Sequence, residues 1–136
     1  MARTPFHVEV LTPEGEVFND EVEMISTRTA TGSIGILAHH APLLAMLDPT
    51  ELRLYKSESE VVEFAQAEGY MQVGDNRALI LVEEAHAKGD LDTARLRDRL
   101  QAAERELDQA GDDSERRRVA ERDKRRWEQF LRVAEG

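Results

Sequence analysis

Two adjacent pairs of polar side chains are the first places where this sequence could support chemistry. The imidazoles of His39 and His40 could bind a metal ion or exchange a proton near neutral pH, and the carboxylates of Glu83 and Glu84 could act in acid/base catalysis. Consecutive residues of an extended chain point to opposite faces, so we expect the histidines to lie at a turn edge rather than to chelate one ion. No nucleophile or triad pattern accompanies the glutamates. The sequence therefore predicts neither a metal site nor an enzyme.

The histidines belong to a segment, residues 32 to 44, whose glycines and proline predict a shaped tip. Gly32 and Gly35 flank an exposed hydroxyl and permit a tight corner. Pro42 holds Ala41 extended and supplies no amide hydrogen to a sheet, so the segment should lie at an edge. A partly apolar tip of this kind is suited to contact with another molecule.

The length, composition and net charge of the sequence exclude several classes of protein. The chain has 136 residues, which is enough for one domain of ordinary size or for a smaller domain with an appendage. It has no cysteine, which excludes disulfides and thiolate chemistry and favours a reducing compartment. A net charge of -10 disfavours binding to nucleic acid. The sequence has no long apolar run and no signal-peptide pattern, so we expect a soluble protein that meets a membrane only through a partner.

Residues 6 to 82 show period-two alternation interrupted by turn residues at intervals of roughly 8 to 12 residues, the spacing of a sandwich or barrel. Proline and glycine in the segment 12–15, proline in 48–50 and glycine in 74–76 mark three of the turns. We predict about nine strands, over residues 6–10, 16–19, 22–29, 34–37, 43–47, 52–56, 61–66, 70–73 and 78–82. One closed or double-layered sheet would accommodate them.

The composition changes at Lys88-Gly89. Residues 1–88 carry 15 acidic and 6 basic side chains, whereas residues 89–136 carry 13 acidic and 12 basic ones. The spacing of apolar residues also changes at this point, from every second residue to the period of a helix. We therefore predict a β-sandwich domain over residues 1–86 and a helix-turn-helix tail over residues 87–136.

Two helices with one apolar side each are predicted in the tail. Asp90 or Asp92 can cap the first helix, Gly111 ends it, and the segment 112–114 can cap the second. The side chains expected to pack the hairpin are Leu96, Leu100, Leu107, Trp127, Phe130 and Leu131. The aromatic residues should meet either the sandwich or a stalk partner. Because the apolar stripe is narrow, we expect a weakly docked hairpin.

The second helix carries basic residues opposite its apolar side, spaced by 4, 3, 4 and 3 positions. This arginine row consists of Arg118, Arg122, Arg125, Gln129 and Arg132. A solvated helix face is the usual explanation for a charge run. However, like charges four residues apart destabilise a helix, so the row is also expected to meet an acidic surface, either the sandwich of this chain or a partner.

The order of several motifs resembles one family, the epsilon subunit of the F-type ATP synthase. The motifs are LTPEGEVF (11–18), GSIGIL (32–37), HAPLL (40–44), DPTELRL (48–54), GYMQV (69–73), NRALIL (76–81) and DLDTAR (90–95). They cover residues 6 to about 107 in the family's order. The chain departs from the family at Ala38-His39, where Pro-Gly is usual, and at Leu96, where a nucleotide-associated motif ends in alanine.

The resemblance implies a β-sandwich of about ten strands followed by a helical hairpin, in a non-catalytic subunit of the central stalk. Its implied partners are the gamma subunit, the c-subunit ring and the alpha and beta subunits of the catalytic head, on the cytoplasmic face of a bacterial inner membrane or the equivalent face of an organelle. The hairpin is expected to inhibit ATP hydrolysis when it extends. Implied ring contacts are Gly32, Ser33, Ile34 and His40. Implied contacts of the extended tail with the head are Arg118, Arg122, Arg125 and Arg132.

The same resemblance makes Asp92 and Arg95 candidates for weak binding of ATP as a regulatory ligand, with no cofactor required. The local alternative is an acid in the first helical turn paired with a base three residues later, worth about 0.3 to 1 kcal/mol. A rival reading of the whole chain is a free-standing β-sandwich that binds a ligand and carries a helical oligomerisation tail. Co-purification with a coiled-coil partner would separate the two.

Overall fold

The structure is a computed structural model that describes residues 3 to 136. Met1 and Ala2, which begin the predicted 1–86 range, lie outside the described residues. Ten strands precede two helices, as predicted for a sandwich followed by a hairpin. The strands are β1 (Phe6–Thr12), β2 (Gly15–Val22), β3 (Met24–Thr29), β4 (Gly32–Leu37), β5 (Leu43–Leu47), β6 (Thr50–Tyr55), β7 (Val61–Gln66), β8 (Gly69–Gly74), β9 (Arg77–Val82) and β10 (Ala85–Ala87). A short 3-10 turn (Lys88–Asp90) leads to α1 (Thr93–Gln109) and α2 (Ser114–Glu135).

The strands follow the order β10-β7-β6-β3-β5-β8-β9-β1-β2, with β4 added to β3. All pairs are antiparallel except β1 with β9. The β3–β5 contact is a single pair, Thr29 with Leu47, so the sheet folds into two layers there. The layers meet face to face, and Phe18 of β2 contacts Phe64 of β7 edge-on, with ring centroids 6.4 Å apart. Side chains from alternate positions of both layers fill the space between them.

The core of the sandwich consists of inward-facing aliphatic side chains at every second position of β1, β6, β8 and β9. Those with the least exposure include Val8, Val10, Leu52, Leu54, Met71 and Ile80. Gln66 is the one fully buried amide in the described core, and its side chain bonds to Thr27 Oγ1, to the carbonyl of Asp48 and to the carbonyl of Ala67 at 2.8, 2.9 and 3.0 Å. These bonds tie β3, β7 and the β5–β6 turn together.

Nine strands were predicted from the alternation and ten are present. The difference is β10, whose three residues Ala85–Ala87 form a strand by pairing with β7. Neither alanine nor histidine favours a strand, so the local sequence carries no signal for it. The predicted strand over residues 22–29 is also divided, because β2 continues to Val22 and β3 begins at Met24.

Both helices begin after residues whose side chains were expected to cap them. Asp92 accepts a hydrogen bond from the Arg95 amide at 3.2 Å, and Asp113 accepts one from the Arg116 amide at 3.1 Å. Between the helices Gly111 has φ of 56°, a conformation that glycine adopts without strain. No helix within residues 3–136 combines the length and the apolar character needed to cross a membrane.

The expectation that the chain is extended through the histidine pair is wrong at His39. His39 has φ of 61° and lies in a turn after β4, where its amide donates to Asn76 Oδ1 at 2.7 Å. His40 Nδ1 lies 2.7 Å from the carbonyl oxygen of Ala41. The turn is where this pair was placed, but the left-handed backbone of His39, rather than the pleat of a strand, sets the direction of the side chains.

The hairpin packs against the outer face of the sandwich, with α2 in contact with β6 and β7. A second apolar cluster joins them. It contains Ala65, Ala67, Leu96, Ala103, Trp127, Phe130, Leu131 and Val133. The two alanines of the sandwich leave room for the aromatic rings of α2 to approach the sheet.

Candidate functional site

The interface between hairpin and sandwich contains a buried cation. Arg126 of α2 is 8 % exposed and bonds to two glutamates of the sandwich. Its Nη1 donates to Glu84 Oε2 at 3.0 Å and its Nε to Glu68 Oε2 at 3.4 Å, while Nη2 makes a short bond to Glu68 Oε1. We call these three residues the Arg126 cluster. It joins the tail to the sandwich by charge-assisted hydrogen bonds.

The glutamates of the cluster are held in place by the sheet. Glu68 lies in the β7–β8 turn and Glu84 in the β9–β10 turn. Backbone bonds from Ala67 to Glu84 at 2.8 Å and from Glu83 to Glu68 at 3.2 Å connect these turns. The sandwich therefore presents two neighbouring carboxylates, and a cation from α2 compensates their charge.

The electrostatics of the cluster favour a permanent ion pair. Burial alone disfavours a charged guanidinium, but the hydrogen bond and charge of Glu68, with the charges of Glu84 and Asp123, raise the pKa of Arg126 above its ordinary value. The guanidinium thus stays charged whenever the hairpin is docked. Glu84, suggested by the sequence as a possible acid/base group, serves here as an ion-pair acceptor.

Aromatic contacts surround the cluster on α2. The Trp127 ring lies 4.9 Å from the guanidinium carbon of Arg99 and 5.6 Å, edge-on, from the Phe130 ring. Phe130 in turn meets His86 of β10, with centroids 6.1 Å apart. His86 Nε2 lies 2.9 Å from Glu84 Oε1, so His86 links the aromatic contacts to the Arg126 cluster. The docked position of α2 is defined by both.

The predicted packing residues of the hairpin differ in burial. Leu96 and the α2 residues Trp127, Phe130 and Leu131 are buried in the interface cluster. Leu100 packs against its margin, and Leu107 is half-buried outside it. Sequence reasoning missed Val133 and Arg126, both of which are buried. The signal for Arg126 was its position beside Trp127 on the apolar face rather than in the arginine row.

The arginine row does not behave as one surface. Arg118 bonds to Glu115 with Nη2 at 2.6 Å, and Arg122 bonds to Asp123 at 3.0 Å, so both are paired within α2. Arg125 instead reaches the sandwich, where its Nη2 lies 2.6 Å from Asp48 Oδ2. The expectation that the row meets an acidic group of the sandwich is thus confirmed at Arg125, and the expectation that the whole row lies opposite the packing face is wrong there. This position reaches the edge of the interface.

The two candidates for nucleotide binding lie at the start of α1. The Asp92 carboxylate caps the helix by accepting from the Arg95 backbone amide, as expected of an N-cap, whereas the local alternative paired the two side chains. A cavity of about 120 Å³ adjoins this turn, which is well below the roughly 300 Å³ at which clefts begin to enclose whole organic ligands. Its lining includes Asp92, Arg95, Leu96, Arg99 and Trp127. With the hairpin docked, the cavity could take only part of a nucleotide.

The four residues suggested as ring contacts lie along β4 and its following turn. Gly32 begins the strand with φ of 136°, Ser33 is exposed, and Ile34 packs partly on the core. His40 lies beyond the other end of the strand, so roughly 17 Å of strand separate it from Gly32. Gly35 is within the strand rather than at a corner. A partner that touches all four would have to extend along this edge strand, which pairs only with β3 among the described strands.

A row of exposed apolar side chains crosses the outer face of the second layer. Met46, Tyr70 and Leu81 are 62 %, 51 % and 45 % exposed. The register pairs Met46 with Tyr70, Tyr70 with Leu81 and Leu81 with Leu11, so the four lie side by side on β5, β8, β9 and β1. We call them the apolar row. Contiguous exposed apolar surface of this kind marks an interaction site.

Sequence reasoning did not find the apolar row, although a signal was present. The segments LLAML and LILV are apolar at consecutive positions rather than at every second one. A strand with one solvated face would alternate. Apolar residues on both faces are typical of a strand that is buried on both sides.

The fold and these surfaces define a class of protein: a two-layer β-sandwich with a docked helical hairpin, whose charged and apolar groups form contact surfaces. Residues 5–88 match the family model described as the ATP synthase delta/epsilon chain β-sandwich domain. The ATP synthase epsilon chain of Priestia megaterium is 40 % identical over 108 residues, which are 79 % of each chain. That of Rubrobacter xylanophilus is 33 % identical over 130 residues, 92 % of this chain and 88 % of the relative.

Two solved structures share the fold. A chain of the mitochondrial ATP synthase of Euglena gracilis superimposes with a TM-score of 0.80 at 22 % identity, covering 97 % of this chain and 82 % of that one. A chain from the central stalk and c-ring structure of the Tetrahymena thermophila enzyme gives 0.64 at 18 % identity, covering 98 % and 99 %. The chain belongs to the ATP synthase delta/epsilon chain family, and the resemblance drawn from its motifs is confirmed.

Proposed function

We propose that this chain is a non-catalytic subunit of the central stalk of an F-type ATP synthase. It couples the rotor ring to the catalytic head in ion-driven ATP synthesis, and its tail restrains ATP hydrolysis. Membership of the family is the reason for proposing this complex, and the apolar row is the observation that supports a role in the stalk. The chain works on the cytoplasmic face of a bacterial inner membrane, or the equivalent face of an organelle, and reaches the membrane only through its partners.

The apolar row is proposed as the surface that grips the gamma subunit. The exposed side chains of Met46, Tyr70 and Leu81 and the partly exposed Leu11, on four adjacent strands, would be covered by an elongated partner lying across the strands. A groove of about 320 Å³ between the β1–β2 turn and Tyr70 extends the same face and could take a side chain of that partner. Burying exposed apolar area contributes about 25 cal/mol per Å², so the row could supply much of the binding energy.

The edge strand β4 is proposed as the contact with the c-subunit ring. Gly32, Ser33 and Ile34 would meet the ring at one end of the strand and His40 at the other. The unpaired side of the strand has backbone groups that a partner could use. The length of the strand suits a broad, flat surface such as the loops of a ring.

The tail is proposed to act on the alpha and beta subunits when it leaves the sandwich. Among residues 3 to 136, the ion-pair partners of Arg118 and Arg122 lie within α2, so both arginines remain available in either position of the helix. Arg125 would exchange Asp48 for an acidic group of the head, and Arg132 would add a further charge. In the docked position the same helix is held by the Arg126 cluster, so the two positions compete.

A weak regulatory role for ATP through Asp92 and Arg95 is retained as part of the proposal. The helix amino terminus and the nearby Arg99 would favour an anion. The docked cavity is small, so ATP would have to bind with part of its structure in solvent or with α1 and α2 further apart. Weak affinity is therefore expected.

The rival role as a free-standing module with an oligomerisation tail finds less support. The apolar sides of α1 and α2 are directed at each other and at β7. A tail that assembled copies would need an apolar face left over for a second chain.

The grip on the stalk can be tested by co-expression with the gamma subunit of the same complex. The variants Tyr70→Glu and Leu81→Glu should lose the co-purifying partner while keeping the circular dichroism and melting of the sandwich. Val17→Glu, at an exposed position of β2 outside the row, is the matched control. Retention of the gamma subunit by both row variants would contradict the assignment of this face.

The restraint on hydrolysis can be tested by ending the chain after Lys88. The truncated protein should still assemble, and the complex should hydrolyse ATP faster than with the full chain. Arg118→Ala with Arg122→Ala should give part of the same increase and a smaller response to salt, because neither residue touches the sandwich. Equal rates with and without the tail would rule out the switch.

A further inference from the structure

A polar cavity of about 180 Å³ lies where the second helix meets the sandwich. The sandwich contributes Arg28 from β3 and Asp48 with Pro49 from the β5–β6 turn, and α2 contributes Arg125, Gln129 and Arg132. We call it the junction cavity. The three α2 residues are spaced by four and three positions, which brings them to one side of the helix. This cavity is separate from the one at the first turn of α1, with which it shares no lining residue.

The junction cavity is positively charged in a chain whose net charge is -10. Three guanidinium groups line it against one carboxylate. Arg125 is paired with Asp48 at 2.6 Å, whereas within residues 3–136 neither Arg28 nor Arg132 has a carboxylate within ion-pair distance. Like charges brought to one concave surface repel each other unless an anion lies between them. The lining therefore carries two more positive than negative charges, which favours an anion over a cation.

The chemistry of the lining selects the kind of anion. A guanidinium offers paired N–H donors that match two oxygens of a phosphate, and the Gln129 amide adds a neutral donor. The cavity is large enough for a phosphate-sized group but below the roughly 300 Å³ of a cleft that encloses a whole organic ligand. Because Asp48 neutralises Arg125 and repels anions, Arg28 and Arg132 must provide most of the attraction.

We propose that the junction cavity binds a small tetrahedral oxyanion of the phosphate class, either the free ion or the terminal group of a larger phosphate compound. The ligand bridges Arg28 of the sandwich and Arg132 of α2. It thus binds only while the hairpin is docked. Anion binding does not require the tail to leave the sandwich, so this site does not depend on the proposed role in the stalk.

Binding of the anion would also favour the docked tail, a consequence that rests on the proposed function. A ligand that binds one state alone raises the population of that state by the factor 1 + [L]/Kd, about elevenfold at ten times Kd. Phosphate would then oppose the extended, inhibiting position. Its effect would be specific to a divalent oxyanion, whereas simple screening by salt would weaken the ion pairs of the interface.

The test is calorimetric titration of the full chain with inorganic phosphate, with sodium chloride at matched ionic strength as the reference. Arg28→Gln and Arg132→Gln should each weaken phosphate binding at least tenfold, and Arg28→Lys less than Arg28→Gln because the charge is kept. Arg118→Gln, on the same helix but paired with Glu115, is the control and should leave the affinity unchanged. Emission of Trp127 verifies that each variant keeps the docked hairpin.

The source of the phosphate group is resolved by a second titration with ATP. Equal affinity for phosphate and ATP identifies the free ion, and tighter ATP binding that Arg28→Gln abolishes identifies the terminal group of a nucleotide. Binding unchanged in both Arg28→Gln and Arg132→Gln, or reproduced by chloride, would overturn the proposal. A chain that fails to join the stalk but binds phosphate in this way would refute the proposed function and leave the anion site intact.

Discussion

Replacing Arg126 by methionine should release the hairpin from the sandwich without unfolding the sandwich. Methionine has a similar length and keeps apolar contact with Trp127, but it removes the guanidinium that bonds to Glu68 and Glu84 in the interface. The two carboxylates would then remain beside the apolar side of α2 without that counter-charge. Undocking would return both carboxylates to water, so loss of the guanidinium destabilises only the docked state.

The size of the effect follows from the burial of the cluster. Removing one partner of a buried ion pair costs about 3 to 5 kcal/mol. The side chain of Arg126 is 9 % exposed, but those of Glu68 and Glu84 are 30 % and 25 % exposed, so water still reaches the carboxylates. We therefore expect a smaller cost of about 2 to 3 kcal/mol, just below that range, which is roughly a 30- to 150-fold shift from docked to undocked tail.

Trp127 provides the assay because it is the single tryptophan of the sequence and is buried in the interface. In the isolated chain, Arg126→Met should shift its emission to the red and speed hydrogen exchange of the α2 amides, while the amides of β1 and β9 stay protected. Arg118→Met is the control, since Arg118 is paired with Glu115 in solvent. In the complex, Arg126→Met should increase inhibition of hydrolysis.

A second variant shows whether the charge, rather than the shape, is responsible. Adding Glu68→Gln and Glu84→Gln to Arg126→Met removes the uncompensated carboxylates, so docking should recover in large part. Unchanged emission and exchange in Arg126→Met would refute the reasoning. Failure of the triple variant to recover would show that packing by the guanidinium, and not its charge, holds the helix.

Two further predictions concern single positions. Gly69→Ala should destabilise the sandwich by about 3 kcal/mol, because a Cβ there would overlap the carbonyl oxygen of Leu81, a backbone atom that cannot easily move. The control in thermal melting is Gly74→Ala, which has no atom within 4 Å of the added Cβ. Equal melting temperatures of the two variants would contradict the clash. Hydrogen bonding and the charge of Arg118 lower the pKa of Glu115, so their pairing supports α2 above the ordinary glutamate pKa and is lost as pH falls through the lowered value. Arg118→Ala should raise the Glu115 midpoint in an NMR titration, and an identical midpoint would exclude the pairing in solution.

Local signals in the sequence determined the elements of the fold. Period-two alternation located nine of the ten strands, and the aspartates at 92 and 113 with Gly111 located the ends of the helices. These features act over a few residues, since a capping side chain bonds to an amide three positions away and the positive φ of a glycine depends on that residue alone. The order of the motifs then indicated the family.

Contacts between distant parts of the chain decided the rest. Arg126 is buried because it meets Glu68 and Glu84, which are 58 and 42 residues earlier. The helical pattern places it on the apolar side of α2 but does not show which groups it meets. Arg28 and Arg132 line one cavity only because β3 and α2 are neighbours in space. The apolar row likewise required the register of four strands. The sequence by itself determined which segments form strands and helices, because those preferences are local. The tertiary structure decided which charges and apolar faces meet, because burial and Coulomb interactions depend on distances in space and not along the chain.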